Sequence, residues 1–320
     1  MRLRLAVIGA ISMAFIAAFA ARPAHATYPG ANGRIVFASG AELWSMQPDG
    51  SQLTLLTTVA PPLGTRVLAS FPSFSADGSK LAVLVRELGR PAPCDPHAIN
   101  AQSGVCSWVV VMNADGSGQR FVYGSEDIAS LSLALSPDGS QVAFTKVTSE
   151  LPAQEQLFTI EANGRHLRLL TRMPNRLSAT DVSPTWSPDG RTIAFASSRE
   201  QAVRLQDWAL FSVDTRTRRI APVLAAGHDN DQEPNWSPDG SRLAFTRIVG
   251  SDFRIYSVAS DGTGEHELLQ GATSEPVWSP DGSQIAYAGQ GLSVANADGS
   301  NPHVIFSGSF SGFDWQPIPN

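Results

Sequence analysis

The sequence has 320 residues, enough for one large domain or two ordinary ones, and its 42% hydrophobic content excludes wholesale disorder. A formal net charge of −6 excludes a nucleic-acid binder driven by phosphate neutralisation. With 27 Gly, 22 Pro and only two Cys, the composition favours a turn-rich fold and excludes a disulfide framework or a four-Cys zinc site.

The chain opens with Arg2 and Arg4, an apolar run from Leu5 to Ala20, and the small-residue site Ala24-His25-Ala26. That order predicts a secretory signal peptide over 1–26, removed after Ala26. The remainder, 27–320, carries 20 basic and 29 acidic residues, a net charge of −9. It holds no further apolar stretch long enough to span a membrane. The expected location is therefore the periplasm or the cell exterior.

From there the chain repeats itself. PSFSADGSKLAVLV from Pro72 recurs as LALSPDGSQVAFTK from Leu133 and PTWSPDGRTIAFAS from Pro184. It returns as PNWSPDGSRLAFTR from Pro234 and PVWSPDGSQIAYAG from Pro276, with a worn copy, ANGRIVFAS, at Ala31. The turn position is Asn32, Asp77, Asp138, Asp189, Asp239 and Asp281 in units one to six. A second motif alternates with the first: LWSMQPDGSQ from Leu43, VVVMNADGSG from Val109 and LFTIEANGRH from Leu157. It continues with LFSVDTRTRR from Leu210, IYSVASDGTG from Ile255 and LSVANADGSN from Leu292.

Ser-Pro-Asp-Gly suits a type I turn, with Pro presetting φ and Gly relieving strain. The run after it, such as Ile193-Ala194-Phe195-Ala196, alternates large residues with alanine, as a strand sandwiched between two sheets would. The second motif reads as another hairpin. Each unit thus encodes four short antiparallel strands at a spacing of roughly 40–50 residues, the signature of a β-propeller blade. The expected architecture is all-β, a six-bladed propeller of four-stranded antiparallel blades. Phe313 to Trp315 should pair beside Ile35 to Ala38, so that the C-terminal strand joins the N-terminal blade and closes the ring.

Unit two carries an insertion over 87–107, with Cys94, His97 and Cys106. In an exported chain the two cysteines predict a disulfide, and a metal site through Cys94, His97 and Cys106 is the alternative.

The SPDG turn followed by x-[IL]-A-[FY] resembles the WD40-like repeat of the TolB family of six-bladed β-propellers. The resemblance runs from about Tyr28 to Pro317. It implies protein partners in the cell envelope. The namesake has a separate N-terminal domain, which this chain is expected to lack, since unit one begins almost at the predicted cleavage site. Relatives with the same repeat include peptidases and polysaccharide lyases, so the fold alone sets no function.

The sequence contains no G-x-S-x-G elbow, H-E-x-x-H pair or P-loop, and no catalytic residue is assigned. Of the histidines, His166, His266 and His303 fall on or near outermost strands and are expected to be solvated. The turn aspartates recur with the repeat and are read as structural, and the tryptophans as core. The stretch Gly227-His228-Asp229-Asn230-Asp231-Gln232-Glu233 lacks the Gly and the terminal Glu of an EF-hand, so no such loop is assigned. A looser calcium site there stays open as an alternative to having no cofactor.

Aligned on Phe74, Leu135, Trp186, Trp236, Trp278 and Trp315, the residues three positions earlier are Phe71, Ser132, Ser183, Glu233, Glu275 and Gly312. They should ring one mouth of the central channel. Glu233 and Glu275, with His228, Asp229 and Asp231, form the predicted binding site, an acidic mouth suited to a basic group or a cation. The expected function is an exported, non-enzymatic, monomeric scaffold for a protein or peptide partner in the cell envelope. The alternative is a metal-dependent, lyase-like carbohydrate-active enzyme with its site in the channel.

Overall fold

Alternation of large residues with alanine along the second strand of each unit works as two packing faces. In unit four, Ile193 and Phe195 pack with Phe211, Val213 and Trp186, while Ala194 and Ala196 turn to Trp236 and Phe245 of the next unit. Small residues on one face let the neighbouring sheet's tryptophan pack close to the strand. Trp186, Trp236, Trp278 and Trp315 are all buried, as expected of core residues.

The computed structural model describes residues 29–60, 66–89, 94, 104–150, 153–173, 179–199, 208–224, 230–271 and 273–319. The predicted signal segment, His97, His228 and Asp229 lie outside the described residues. Unit one supplies β1 (Ala31–Ser39), β2 (Glu42–Met46) and β3 (Thr54–Thr58). Unit two supplies β4 (Arg66–Phe74), β5 (Lys80–Leu88), β6 (Val105–Asn113) and β7 (Arg120–Ser125). Unit three gives β8 (Ile128–Leu135), β9 (Gln141–Glu150), β10 (Ala153–Glu161) and the short β11 (Arg168–Leu169). Unit four gives β12 (Ala179–Trp186), β13 (Thr192–Ser197), β14 (Ala209–Asp214) and β15 (Ile220–Pro222). Unit five gives β16 (Asp231–Trp236), β17 (Arg242–Val249), β18 (Asp252–Ala259) and β19 (His266–Leu269). Unit six gives β20 (Ser274–Trp278), β21 (Gln284–Ala288), β22 (Leu292–Asn296) and β23 (His303–Phe306). Last comes β24 (Phe313–Ile318), which returns to unit one. The described residues contain no helix.

The strands form an all-β propeller of antiparallel four-stranded blades, but not the six separate sheets expected. Four sheets have four strands, and units three and four share one eight-stranded sheet. The cause is local. The short β11 pairs with β10 only at Phe158 and Thr159, so the start of β10 keeps an open edge. Unpaired backbone groups need partners, and β12 supplies them in parallel, Ala179 beside Gln154 and Thr180 beside Glu155.

Strand β24 pairs antiparallel with β1, beside Ile35 to Ala38 as expected, with Trp315 opposite Ile35 and Phe313 opposite Phe37. Asp314 is fully buried; its carboxylate accepts the Phe74 N–H at 2.8 Å, tying unit one to unit two. Gly78 has φ +63°, and a Cβ there would meet the Pro317 carbonyl oxygen at 2.0 Å, so only glycine admits this approach. In unit two, β5 and β6 extend into the expected insertion, pairing Glu87 with Cys106 and Leu88 with Val105.

Candidate functional site

The turns and the inner strands make two different ends of the propeller. At the turn end, the Ser hydroxyl donates to the Asp carboxylate at 2.6 Å in five units: Ser75 to Asp77, Ser136 to Asp138, Ser187 to Asp189, Ser237 to Asp239 and Ser279 to Asp281. The same carboxylate accepts a backbone N–H two residues on, as from Ser241 to Asp239 at 3.0 Å. The Ser237 hydroxyl and the Ser241 N–H hold the Asp239 carboxyl below the usual carboxylate range. Every one of these aspartates is occupied in stabilising its own turn.

At the opposite end, where the channel mouth is expected (the channel end), four inner strands are interrupted by a bulge. Register shifts fall between Ser70 and Ser73, Val182 and Thr185, Gln232 and Asn235, and Ser274 and Val277. The residues inside them, Phe71, Ser183, Glu233 and Glu275, have φ of 58°, 54°, 55° and 56°. Gly312, just before β24, has φ of 79°. Four of these five positions hold side chains in a left-handed conformation that costs about 1 kcal/mol or more each. Hydrogen bonds between units offset that cost. The Ser183 N–H donates to the Ser132 hydroxyl at 2.9 Å, the Phe71 N–H to the Ser311 carbonyl at 3.0 Å, and the Glu275 N–H to the Glu233 carboxylate at 2.8 Å.

Glu233 and Glu275 are thus brought together, with relative exposures of 3% and 5%. Glu233 also accepts the Thr246 hydroxyl at 2.7 Å. Asp231 lies apart from this pair in its bonding, because Arg247 grips it in two places at 2.6 and 2.9 Å. Arg247 also pairs with Glu265 and lies over the rings of Phe245 and Tyr256. A cavity of about 470 Å³ opens at this end, lined by Phe71, Glu275, Gln290, Phe310 and Gly312 among others. Three of the six aligned channel positions line it.

Arg247–Asp231 is one of three such latches in consecutive units. Lys146 meets Asp127 at 3.0 Å and Arg199 meets Asp181 at 2.6 Å, with Arg199 over Phe195 and Phe211. Sequence reasoning missed these pairs. A signal was present, since Asp181 and Asp231 both stand five residues before the unit's tryptophan. Glu155, where units three and four merge, is a further buried carboxyl, and burial pushes its pKa up to about 7.

The expected disulfide is present: Cys94 and Cys106 are bonded to one another, which replaces the reading of the pair as metal ligands. Cys94 N–H donates to Glu126 at 2.5 Å, fixing the bridge to the channel end of unit two. His166, His266 and His303 are exposed, and His166 contacts Glu161 at 2.7 Å. Among the described residues, no group of three or more His, Cys, Asp or Glu is arranged to hold a metal ion. No helix among them is long and apolar enough to cross a membrane.

A family model described as the TolB beta propeller domain matches residues 102–310. Among solved structures, TolB from Acinetobacter baumannii is similar at 17% identity and a TM-score of 0.67, over 89% of this chain and 67% of that one. A putative TolB from Agrobacterium tumefaciens matches at 17% identity and a TM-score of 0.59, over 87% of this chain and 90% of that one. An oligogalacturonate lyase in complex with manganese matches at 13% identity and a TM-score of 0.53, over 82% and 72%. At these identities the likeness is one of fold.

Proposed function

The chain belongs to the TolB beta propeller domain family, and from that membership we propose that it is an exported, non-enzymatic scaffold for a protein or peptide partner in the cell envelope. In this reading the eight-stranded sheet serves as two blades of a six-bladed ring, which β24 closes against β1. On the same reading the partner inserts a side chain at the end that holds Glu233 and Glu275, and the predicted site also counts Asp231 and, outside the described residues, His228 and Asp229. One observation carries the reading: five of the six aligned positions share a left-handed backbone and differ in side chain. Three of them, Phe71, Glu275 and Gly312, line one cavity. A rigid ring with varied residues at one mouth suits recognition.

The test is capture from envelope extract by the wild-type protein and by the double variant Glu233→Gln, Glu275→Gln, with metal analysis of both. Partner capture by the wild type, lost in a variant that unfolds at the same urea midpoint, supports the channel end. Equal capture by both proteins moves the site to other loops. Stoichiometric bound metal together with cleavage of a uronate polymer would favour the lyase-like alternative.

A further inference from the structure

The charge of this chain is unevenly distributed. Ten of the 20 basic residues beyond position 26 fall between Arg165 and Arg219, a segment with five acids. That segment is net +5, whereas the rest of the chain from residue 27 is net −14. The sign reverses within one molecule.

Folding places six of these ten arginines at the turn end of units three and four. Arg165 and Arg168 flank the last hairpin of unit three, Arg191 follows the SPDG turn of unit four, and Arg216, Arg218 and Arg219 occupy its last hairpin. All six are exposed. Arg191 lies 3.8 Å from Asp189 at 84% side-chain exposure, a contact of little strength in water. Arg168, Arg216, Arg218 and Arg219 close no ion pair with a described residue, and Asp214 spends its carboxylate on the hairpin N–H groups of Arg216 and Thr217. Between the two units runs a groove of about 410 Å³ lined by Trp186, with Arg168 contributed by unit three and Arg216 by unit four as its two walls. The merged eight-stranded sheet holds those walls on one continuous framework.

We infer that this groove is a second docking surface, which takes an acidic, extended segment of a protein partner, its carboxylates on the arginines of the two walls. All six basic residues are arginine, whose planar guanidinium suits bidentate pairing with carboxylate. Gln141, Thr159 and Thr215 also line the groove and offer hydrogen bonds to the amides of an extended chain. Asp138 and Asp189 lie inside it. Partial burial opposes their ionisation, yet the turn hydrogen bonds hold both carboxyls below the usual range. A peptide can turn its acidic side chains outward to the arginines and present N–H groups to these two carboxylates. A polyuronate, with a charge on every ring, cannot separate its charge from them, and a bilayer surface needs no groove. The inference rests on the reading of the chain as a protein-binding scaffold and adds the chemistry of a second contact.

The experiment measures binding of a fluorescent oligoglutamate peptide to the purified protein at low and moderate salt. Polygalacturonate and phosphatidylglycerol vesicles serve as competitors. The variant Arg168→Glu, Arg216→Glu is expected to weaken peptide binding about tenfold or more and to flatten its salt dependence. Arg66→Glu, exposed at the start of β4 on the channel end, should change it by less than about twofold. Arg216→Gln, Arg218→Gln removes charge without reversing it and should give an intermediate loss at an unchanged urea midpoint. Wild-type protein that fails to bind the peptide, or that loses it equally in Arg66→Glu, overturns the inference. So does retention of polygalacturonate or vesicles that excess peptide cannot displace. Glu233→Gln, Glu275→Gln should leave peptide binding intact, so failure of this surface and failure of the channel site give different patterns.

Discussion

At the turn end, five units repeat one hydrogen bond, Ser hydroxyl to Asp carboxylate at 2.6 Å; at the channel end, five residues share a left-handed backbone and almost no side-chain chemistry. The first set is constant because each aspartate satisfies groups of its own turn. The second set is varied because the bulge needs only an N–H aimed at the neighbouring unit, which Phe71, Ser183 and Glu275 all supply. Constant side chains therefore mark architecture in this fold, and a constant backbone with changing side chains marks the place where recognition can differ.

The contrast is broken most severely where one strand serves both ends. Deleting Ser309 to Asn320 removes β24, exposes the edge of β1 that it covers while β2 still pairs the other edge, and strips Phe74 of its acceptor on Asp314. We expect loss of the cooperative calorimetric transition and aggregation by light scattering. A truncated chain that melts like the full one would show that β24 is dispensable.

A smaller effect is expected at the channel end alone. Arg247→Met leaves Asp231 buried without its guanidinium and should cost about 3–5 kcal/mol in urea unfolding. Adding Asp231→Leu should recover much of that loss, because an apolar pair of similar volume avoids the stranded charge. If the single variant costs no more than an exposed pair would, the latch is ornamental.

The smallest effect belongs to one copy of the repeated turn. Ser237→Ala removes the hydroxyl that donates to Asp239 and accepts the Arg242 N–H at 3.0 Å, a loss of about 1 kcal/mol. Because the folded protein lowers the Asp239 pKa, that carboxylate's contribution is present above the ordinary value near ~4 and is lost as pH falls through the folded value. Asp239→Asn should therefore show a shallower decline of stability below about pH 4 than the wild type. A parallel decline would place the acid sensitivity elsewhere.

Much of this was legible in the residues. SPDG followed by alternating large and small residues located the second strand of each unit, and Trp315 standing where Trp186, Trp236 and Trp278 stand located β24. The merger of units three and four was not legible. It depends on β11 being too short to cover Gln154 and Glu155, which is decided by tertiary fit rather than by local propensity. Alignment on the tryptophans singled out six positions, five of which share a left-handed backbone. It could not tell that Glu233 and Glu275 are buried, because acids beside a loop read as solvated when their partners, Thr246 and a backbone N–H, come from other strands. Asp231 was read as part of an acidic mouth for the same reason, its partner Arg247 lying a strand away.

The pairing of Ala31 with Ile318 has a consequence for how the chain reaches its fold. Synthesis delivers β1 first and β24 last, so the inner edge of β1 waits for nearly the whole polypeptide before it finds a partner. Hairpins such as β5–β6 and β17–β18 can form from neighbouring residues as they emerge. Unit one cannot be completed that way. Its final step joins residues from opposite termini, a closure whose entropic cost is met only when the intervening units have already shortened the path between them. We expect that docking event, rather than any local hairpin, to set the rate of reaching the native state.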